Sequence, residues 1–224
     1  MAFPFIHLCV AYEMLQRNPL PNEKDAAQFM LGSIAPDAIH YRAGFKGAAM
    51  SNIGAAKKIT HLCPVSPQPW GQVTDNIGWV KQVEAFLLKN PADSFAAGYA
   101  THVLTDIHNN STLWEKFRTN HPSEAAKGYA SEYYADMNHI HNRTFYTQPE
   151  TPAIMALLAK ADAFAVNCEY VTQEEIHAIQ QNLLHDSFKE KPSDLEHRDY
   201  HFVTYEDSME FIQSAAEFCM LNVL

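Results

Sequence analysis

Apolar residues recur at three- and four-residue intervals along most of the chain, and no segment shows the strict alternation of a strand. The fold is therefore expected to be almost entirely helical. Phe5, Leu8, Tyr12 and Leu15 mark a first helix from Phe3 to about Gln16, with Pro4 in its first turn. A short helix over about Glu23 to Leu31 follows the Asn-Pro-Leu-Pro-Asn turn and ends near Gly32. Pro36 disfavours helix at Ala35, which puts Asp37 on a turn or a fresh helical start. Ala43 to Gly54 is small, weakly patterned and reads as a mobile loop, and the prolines after Cys63 make His61 the end of an element.

A helix over about Thr74 to Lys89 should bury Ile77, Val80, Val83, Phe86 and Leu87, with Asn90 capping the next one. Beyond a short segment at Leu113 to Phe117, one long helix is expected from Ser123 to Phe145 and another from Thr151 to about Asn167. Thr172-Gln-Glu-Glu175 is a capping box opening a helix to His185. Asp186 to Tyr200 reads as loop, and Thr204 caps a last helix carrying Met209, Phe211, Ile212, Ala215, Phe218 and Leu221.

The chemistry concentrates in Phe95 to Asn110, a run of apolar and small residues broken by His102, Asp106 and His108. On a helix, His102 and Asp106 stand one turn apart on one face, with Cβ atoms roughly 5–6 Å apart. That spacing suits a shared metal ion. It also suits a buried histidine hydrogen-bonded to an aspartate, the commoner arrangement for an isolated pair, so the case for a metal has to come from elsewhere in the chain.

Composition narrows the setting. The 224 residues, 47% of them hydrophobic, are enough for one sizeable core, and no low-complexity linker divides residues 1–224, so a single domain is expected. A formal charge of −10 without a basic stripe argues against duplex nucleic acid as a partner. Cys9, Cys63, Cys168 and Cys219 form no Cys-x-x-Cys pair, which suggests reduced thiols. No secretory signal is visible and no apolar run approaches the roughly 20 residues that span a bilayer, so a soluble cytoplasmic protein without a transmembrane segment is expected.

Upstream of the pair, His7, Asp37 and His61 each lie on or beside a core-directed segment. With His102 and Asp106 they could bind two metals, one sharing the Asp106 carboxylate. The order Pro4-Phe-Ile-His7, Gly32-Ser-Ile-Ala-Pro-Asp37, Lys57 ahead of Thr60-His61, and Gly98-Tyr-Ala-Thr-His102-Val-Leu-Thr-Asp106 resembles the zinc-dependent phospholipase C family, whose helical fold is shared with single-strand-specific nucleases. The resemblance covers roughly the first 60% of the chain. It implies an all-α, single-domain, multi-helix bundle of that type, with one to three divalent ions, most simply Zn2+. Asp37, His61, His102 and Asp106 would hold one ion, and His7 and Asp106 a neighbour.

For the family's third ion the corresponding residues are His108, Glu132 and Asp136, with His139 and His141 in reserve. Two carboxylates in place of a histidine and a glutamate are a harder set, suited to Mn2+, Mg2+ or iron. The implied activity is hydrolysis of a phosphoester, lipid or other small molecule, by metal-activated water, with Asp37 also able to accept the proton of that water. Tyr41, Trp70 and Tyr99 could wall the pocket, or could be ordinary core aromatics, and His40 could serve the substrate or Asp37. A non-catalytic helical module with a structural metal or a partner-binding role is the alternative. The adjacent pair His185-Asp186 comes too late and too isolated to suggest a His-Asp phosphohydrolase.

Overall fold

The structure is a computed structural model that describes residues 3–45, 51–195 and 198–223, and the side chains among them except those of 51–55. Its elements in order are α1 (Pro4–Arg17), α2 (Glu23–Gly32), a 3-10 segment (Ala35–Tyr41), α3 (Ser51–Thr60), α4 (Asn76–Lys89), α5 (Ser94–Ser111), α6 (Leu113–Asn120) and α7 (Pro122–Ala125). A 3-10 turn (Gly128–Ala130), α8 (Glu132–Thr147), α9 (Thr151–Lys160), a 3-10 turn (Ala163–Ala165), α10 (Gln173–His185) and α11 (Tyr205–Val223) follow. Among the described residues there is no strand, so the fold is all-α.

Helix α5 is the axis of the molecule. Most of its residues are buried, because α1, α2, α4 and α11 pack around it. Its small residues permit this. At the crossing with α2, a Cβ on Gly98 would overlap the carbonyl oxygen of Phe29, and one on Gly32 that of Phe95, so the two backbones touch where no side chain intervenes. The main apolar cluster draws on residues from Phe5 in α1 to Cys219 in α11; a second groups Trp114, Phe117, Tyr133, Met137, Ile140 and Val203. No described helix is long and apolar enough to cross a membrane.

Several local expectations change. Ser51 to Gly54, read as loop, belong to α3, since a tract leading into Ala-Ala-Lys-Lys favours helix more than its small residues suggest; residues 46–50 of that expected loop lie outside the described residues. In α4 the buried residues are Trp79, Val83 and Phe86, whereas Ile77 is largely exposed, because Trp79 Nε1 donates to the His61 carbonyl at 2.7 Å and turns the helix on that anchor. Asp93, not Asn90, caps α5, accepting from the amides of Phe95 and Ala96, while Asn90 closes α4. The long helix expected from Ser123 to Phe145 is interrupted at Gly128, whose φ of +57° turns the chain before α8 begins. Helix α9 stops at Lys160 rather than near Asn167, and Leu221 of α11 faces outward. The capping box at Thr172 and Glu175 forms as its residues imply, and Thr204 Oγ1 accepts from the Asp207 amide at the start of α11.

Candidate metal centre

Four elements deliver donors to one place. Pro4 starts α1 early enough for His7 to fall on its buried first turns, and the 3-10 segment, opened by Ala35-Pro36, carries Asp37. The end of α3 supplies His61, held by a turn in which the Cys63 amide donates to the Lys58 carbonyl at 2.8 Å and Leu62 adopts a φ of +52°. His102 and Asp106 come from successive turns of α5. All five are buried; Asp37, at 7%, is the most exposed.

Their donor atoms are spaced as a metal would require. His61 and His102 bring their Nε2 atoms to 3.2 Å, and His61 Nε2 lies 3.4 Å from Asp37 Oδ1. Asp106 divides its carboxylate, with Oδ1 3.6 Å from His7 Nε2 and Oδ2 3.7 and 3.9 Å from the Nε2 atoms of His61 and His102. Donors placed tetrahedrally around zinc at roughly 2.0–2.1 Å stand roughly 3.3–3.5 Å apart, so these separations need little adjustment. Two overlapping triads have mutually close donors: His7, Asp37 and His102, and His61, His102 and Asp106.

Hydrogen bonding explains which imidazole nitrogens face inward. His102 Nδ1 lies 2.8 Å from the Ser33 carbonyl and His61 Nδ1 lies 2.9 Å from the Lys57 carbonyl. A carbonyl only accepts, so in each ring Nδ1 carries the proton and Nε2 presents a lone pair. Two such lone pairs at 3.2 Å repel each other unless a cation lies between them. The orphaned atoms agree: both nitrogens of His7 and Oδ1 of Asp106 are buried without a hydrogen-bond partner, which is costly for groups that a metal would satisfy. The residues therefore fit a divalent ion, and the stacking of His7 on His102, at 3.6 Å between centroids and 9° between planes, fixes both rings.

The electrostatics come from burial and one lysine. Burial lowers His7 well below its usual pKa, aided by His102, and lowers His61 to about 3 against its contact with Asp37, so both stay neutral and able to ligate. Burial also raises Asp106, with His102 opposing. For Asp37 burial acts upward too, but the neighbouring Lys57 ammonium outweighs it and holds the carboxyl well below the usual range. Lys57, itself buried, donates to Asp37 Oδ1 at 2.9 Å and to His40 Nε2 at 3.1 Å.

No family model, curated protein or solved structure matches the chain. The chemistry of the site rests on its own geometry. Asp37 and His40 line two adjoining cavities of about 220 and 240 Å3 that also share Phe3 and Pro4, so the centre opens to solvent on this side. The first cavity continues to Lys57, Tyr129 and Tyr134; the second to Tyr41, His141 and the end of α10.

His108, Glu132 and Asp136 are not brought together. His108 turns to α11, where Nε2 lies 3.0 Å from Ser214 Oγ and the ring stacks on Phe211 and Phe218. Asp136 is fully buried but satisfied: Oδ1 accepts from Arg198 Nε at 3.2 Å, and Oδ2 from the amides of His201 and Phe202 at 2.9 and 2.8 Å. Glu132 takes the other arm of Arg198 at 3.4 Å. Neither reserve ligand replaces them, since His139 bonds with Tyr200 and the Asp194 carbonyl while His141 sits among Phe3, Phe5 and Phe188. Of the suggested pocket aromatics, Tyr41 lines a cavity, Trp70 lies edge-on to His61, and Tyr99 is wholly buried with its hydroxyl on the Thr60 carbonyl. The residue understated by sequence is Lys57. Its four-residue spacing from His61 on one helix was the available signal, obscured because a lysine is ordinarily a surface residue.

Proposed function

We propose that the protein is a metal-dependent hydrolase of phosphoesters. The observation that carries this reading is the facing of unprotonated His61 and His102 Nε2 atoms, with Asp106 and His7 left unpaired beside them and Asp37 joining them to an accessible cleft that it lines. His7, Asp37, His61, His102 and Asp106 would hold one or two divalent ions, and the all-nitrogen-and-oxygen donor set suits zinc or manganese. Such an ion supplies the acidity that makes water a nucleophile near neutral pH and draws charge from the phosphoryl oxygens. The chain's own contribution is to fix the histidine tautomers through Ser33 and Lys57 carbonyls, to keep bulk water away from buried donors, and to leave Asp37 at the mouth. There Asp37 accepts the proton of the attacking water; its contact with Lys57 makes it a weak base, so the proton resides on it only briefly.

One feature favours a second reading, that of a structural metal site: four of the five donors are at most 1% exposed. Elemental analysis of purified protein, thermal denaturation with added zinc or manganese, and hydrolysis of bis-aryl and monoaryl phosphates together separate the two. Bound metal with hydrolysis that disappears in Asp106→Asn supports the enzyme. Bound metal without hydrolysis supports the structural role, and absence of both metal and thermal stabilisation refutes the centre altogether.

A further inference from the structure

Among the described residues Lys57 is the one cation in the centre, and the hydrolase reading, on which a substrate-binding role for it depends, gives it no task so far. A charge-balancing partner for Asp37 would be an odd choice beside a metal. With neutral histidines, Asp37 and Asp106 against Lys57 leave a single net negative charge, so one divalent ion already turns the centre cationic. A buried ammonium hydrogen-bonded to a metal-ligating carboxylate then repels the ion it stands beside, unless an anion completes the arrangement. Trp70 closes one side, its ring centroid 5.5 Å from Nζ, so the ammonium cannot swing out in that direction.

An ammonium has three donor positions. Lys57 uses one on Asp37 Oδ1 at 2.9 Å and one on His40 Nε2 at 3.1 Å. The residue is 3% exposed, and the cavity it lines is walled by Phe3, Pro4, Tyr129 and Tyr134. Among those walls no carboxylate other than Asp37 is present to take the third N–H. His40 enforces the geometry: accepting from Lys57 through Nε2 points that lone pair at the ammonium and fixes its direction.

We propose that Lys57 is the anion anchor of the cleft, donating its third N–H to a non-bridging oxygen of the phosphoester while Asp37 and His40 hold the ammonium in place. A fixed cation beside the ions takes over part of the charge neutralisation on the phosphoryl group, in the manner of the lysine and arginine clamps of other phosphoryl-transfer sites. It also favours anions: an uncharged ester of the same shape offers the ammonium an acceptor oxygen but no opposing charge, and so a weaker hydrogen bond.

The test uses inorganic phosphate as probe on the full chain, native and Lys57→Met, with metal content measured alongside. The expected result is that Lys57→Met retains the native metal content and binds phosphate at least tenfold more weakly. Unchanged metal with phosphate affinity within twofold of native overturns the proposal. So does loss of metal and phosphate together, which would make Lys57 a positioning residue acting through Asp37. Should native protein hold no metal, the hydrolase reading fails by itself; phosphate binding to that protein that vanishes in Lys57→Met still supports the anchor, and no binding to it overturns it. A readout independent of the variant's folding is the 15N resonance of the buried ammonium in lysine-labelled native protein. It should shift on adding phosphate, and a stationary signal counts against the contact.

Discussion

Two helices in this protein carry an acidic residue in the same arrangement, four residues beyond another polar ligand type, and they end differently. On α5, His102 and Asp106 meet His7, His61 and Asp37 and remain with unpaired atoms and facing lone pairs. On α8, Glu132 and Asp136 meet Arg198 and two backbone amides, and Asp136 has both oxygens occupied. The difference teaches that spacing nominates ligands, whereas the state of their neighbours elects them. A donor already paired with protein gains nothing from a metal, and a buried donor without a partner gains the most.

The contrast can be broken most severely at its aspartates. Asp106→Asn should weaken zinc binding by more than the roughly 10–100-fold associated with partners one step removed from a metal, while Asp136→Asn should leave metal content unchanged; dialysis against a competing chelator compares the two. If both variants lose metal equally, α8 contributes ligands after all. Stability should run the other way. Asp136→Ala leaves Arg198 without its buried partner and the amides of His201 and Phe202 without an acceptor, for a loss of about 3 kcal/mol in urea denaturation. In metal-free protein Asp106→Asn, which removes a carboxylate that burial disfavours, should cost nothing or stabilise slightly.

A smaller effect concerns the histidine that serves neither helix's site. Burial lowers His141 from 6.5 to about 3, so the unfolded chain binds a proton that the folded chain refuses between those values. Its contribution is intact above pH 6.5 and declines as pH falls toward 3, by about 1.4 kcal/mol per pH unit. Between pH 7 and pH 5 the native protein should thus lose about 2 kcal/mol more than His141→Phe, whose ring suits the slot among Phe3, Phe5 and Phe188. Equal losses would mean that His141 charges in the folded state. Smallest of all, His108→Gln should leave metal content unchanged, with a stability change of about 0.5 kcal/mol or less from the lost contacts with Ser214, Phe211 and Phe218. Metal loss in that variant would reopen the third site.

The legible parts of the molecule are those with local causes. The periodicity of α1, the capping box of α10, the proline-opened start that carries Asp37 and the element end at His61 depend on neighbours within a few residues. The gathering of His7, Asp37, His61, His102 and Asp106 is legible through their order along the chain, although no single segment contains it. What stays hidden depends on distant partners. Arg198 lies more than sixty residues from Glu132 and Asp136, and no pattern around either carboxylate announces it. The break at Gly128 and the extra turn of α3 at Ser51 escape a sequence reading because a glycine in one place and small residues in the other give weak local preferences that packing decides.

The bare crossing of α2 and α5 reaches further than packing. Ser33 follows Gly32 directly, and His102 stands one turn beyond Gly98, so the distance at which two glycines let the backbones meet is also the distance over which the Ser33 carbonyl takes the His102 proton. Two missing methyl groups thus decide which nitrogen of an imidazole is basic. A single alanine at either position would act on the coordination chemistry without touching a ligand, by letting the ring choose its other tautomer.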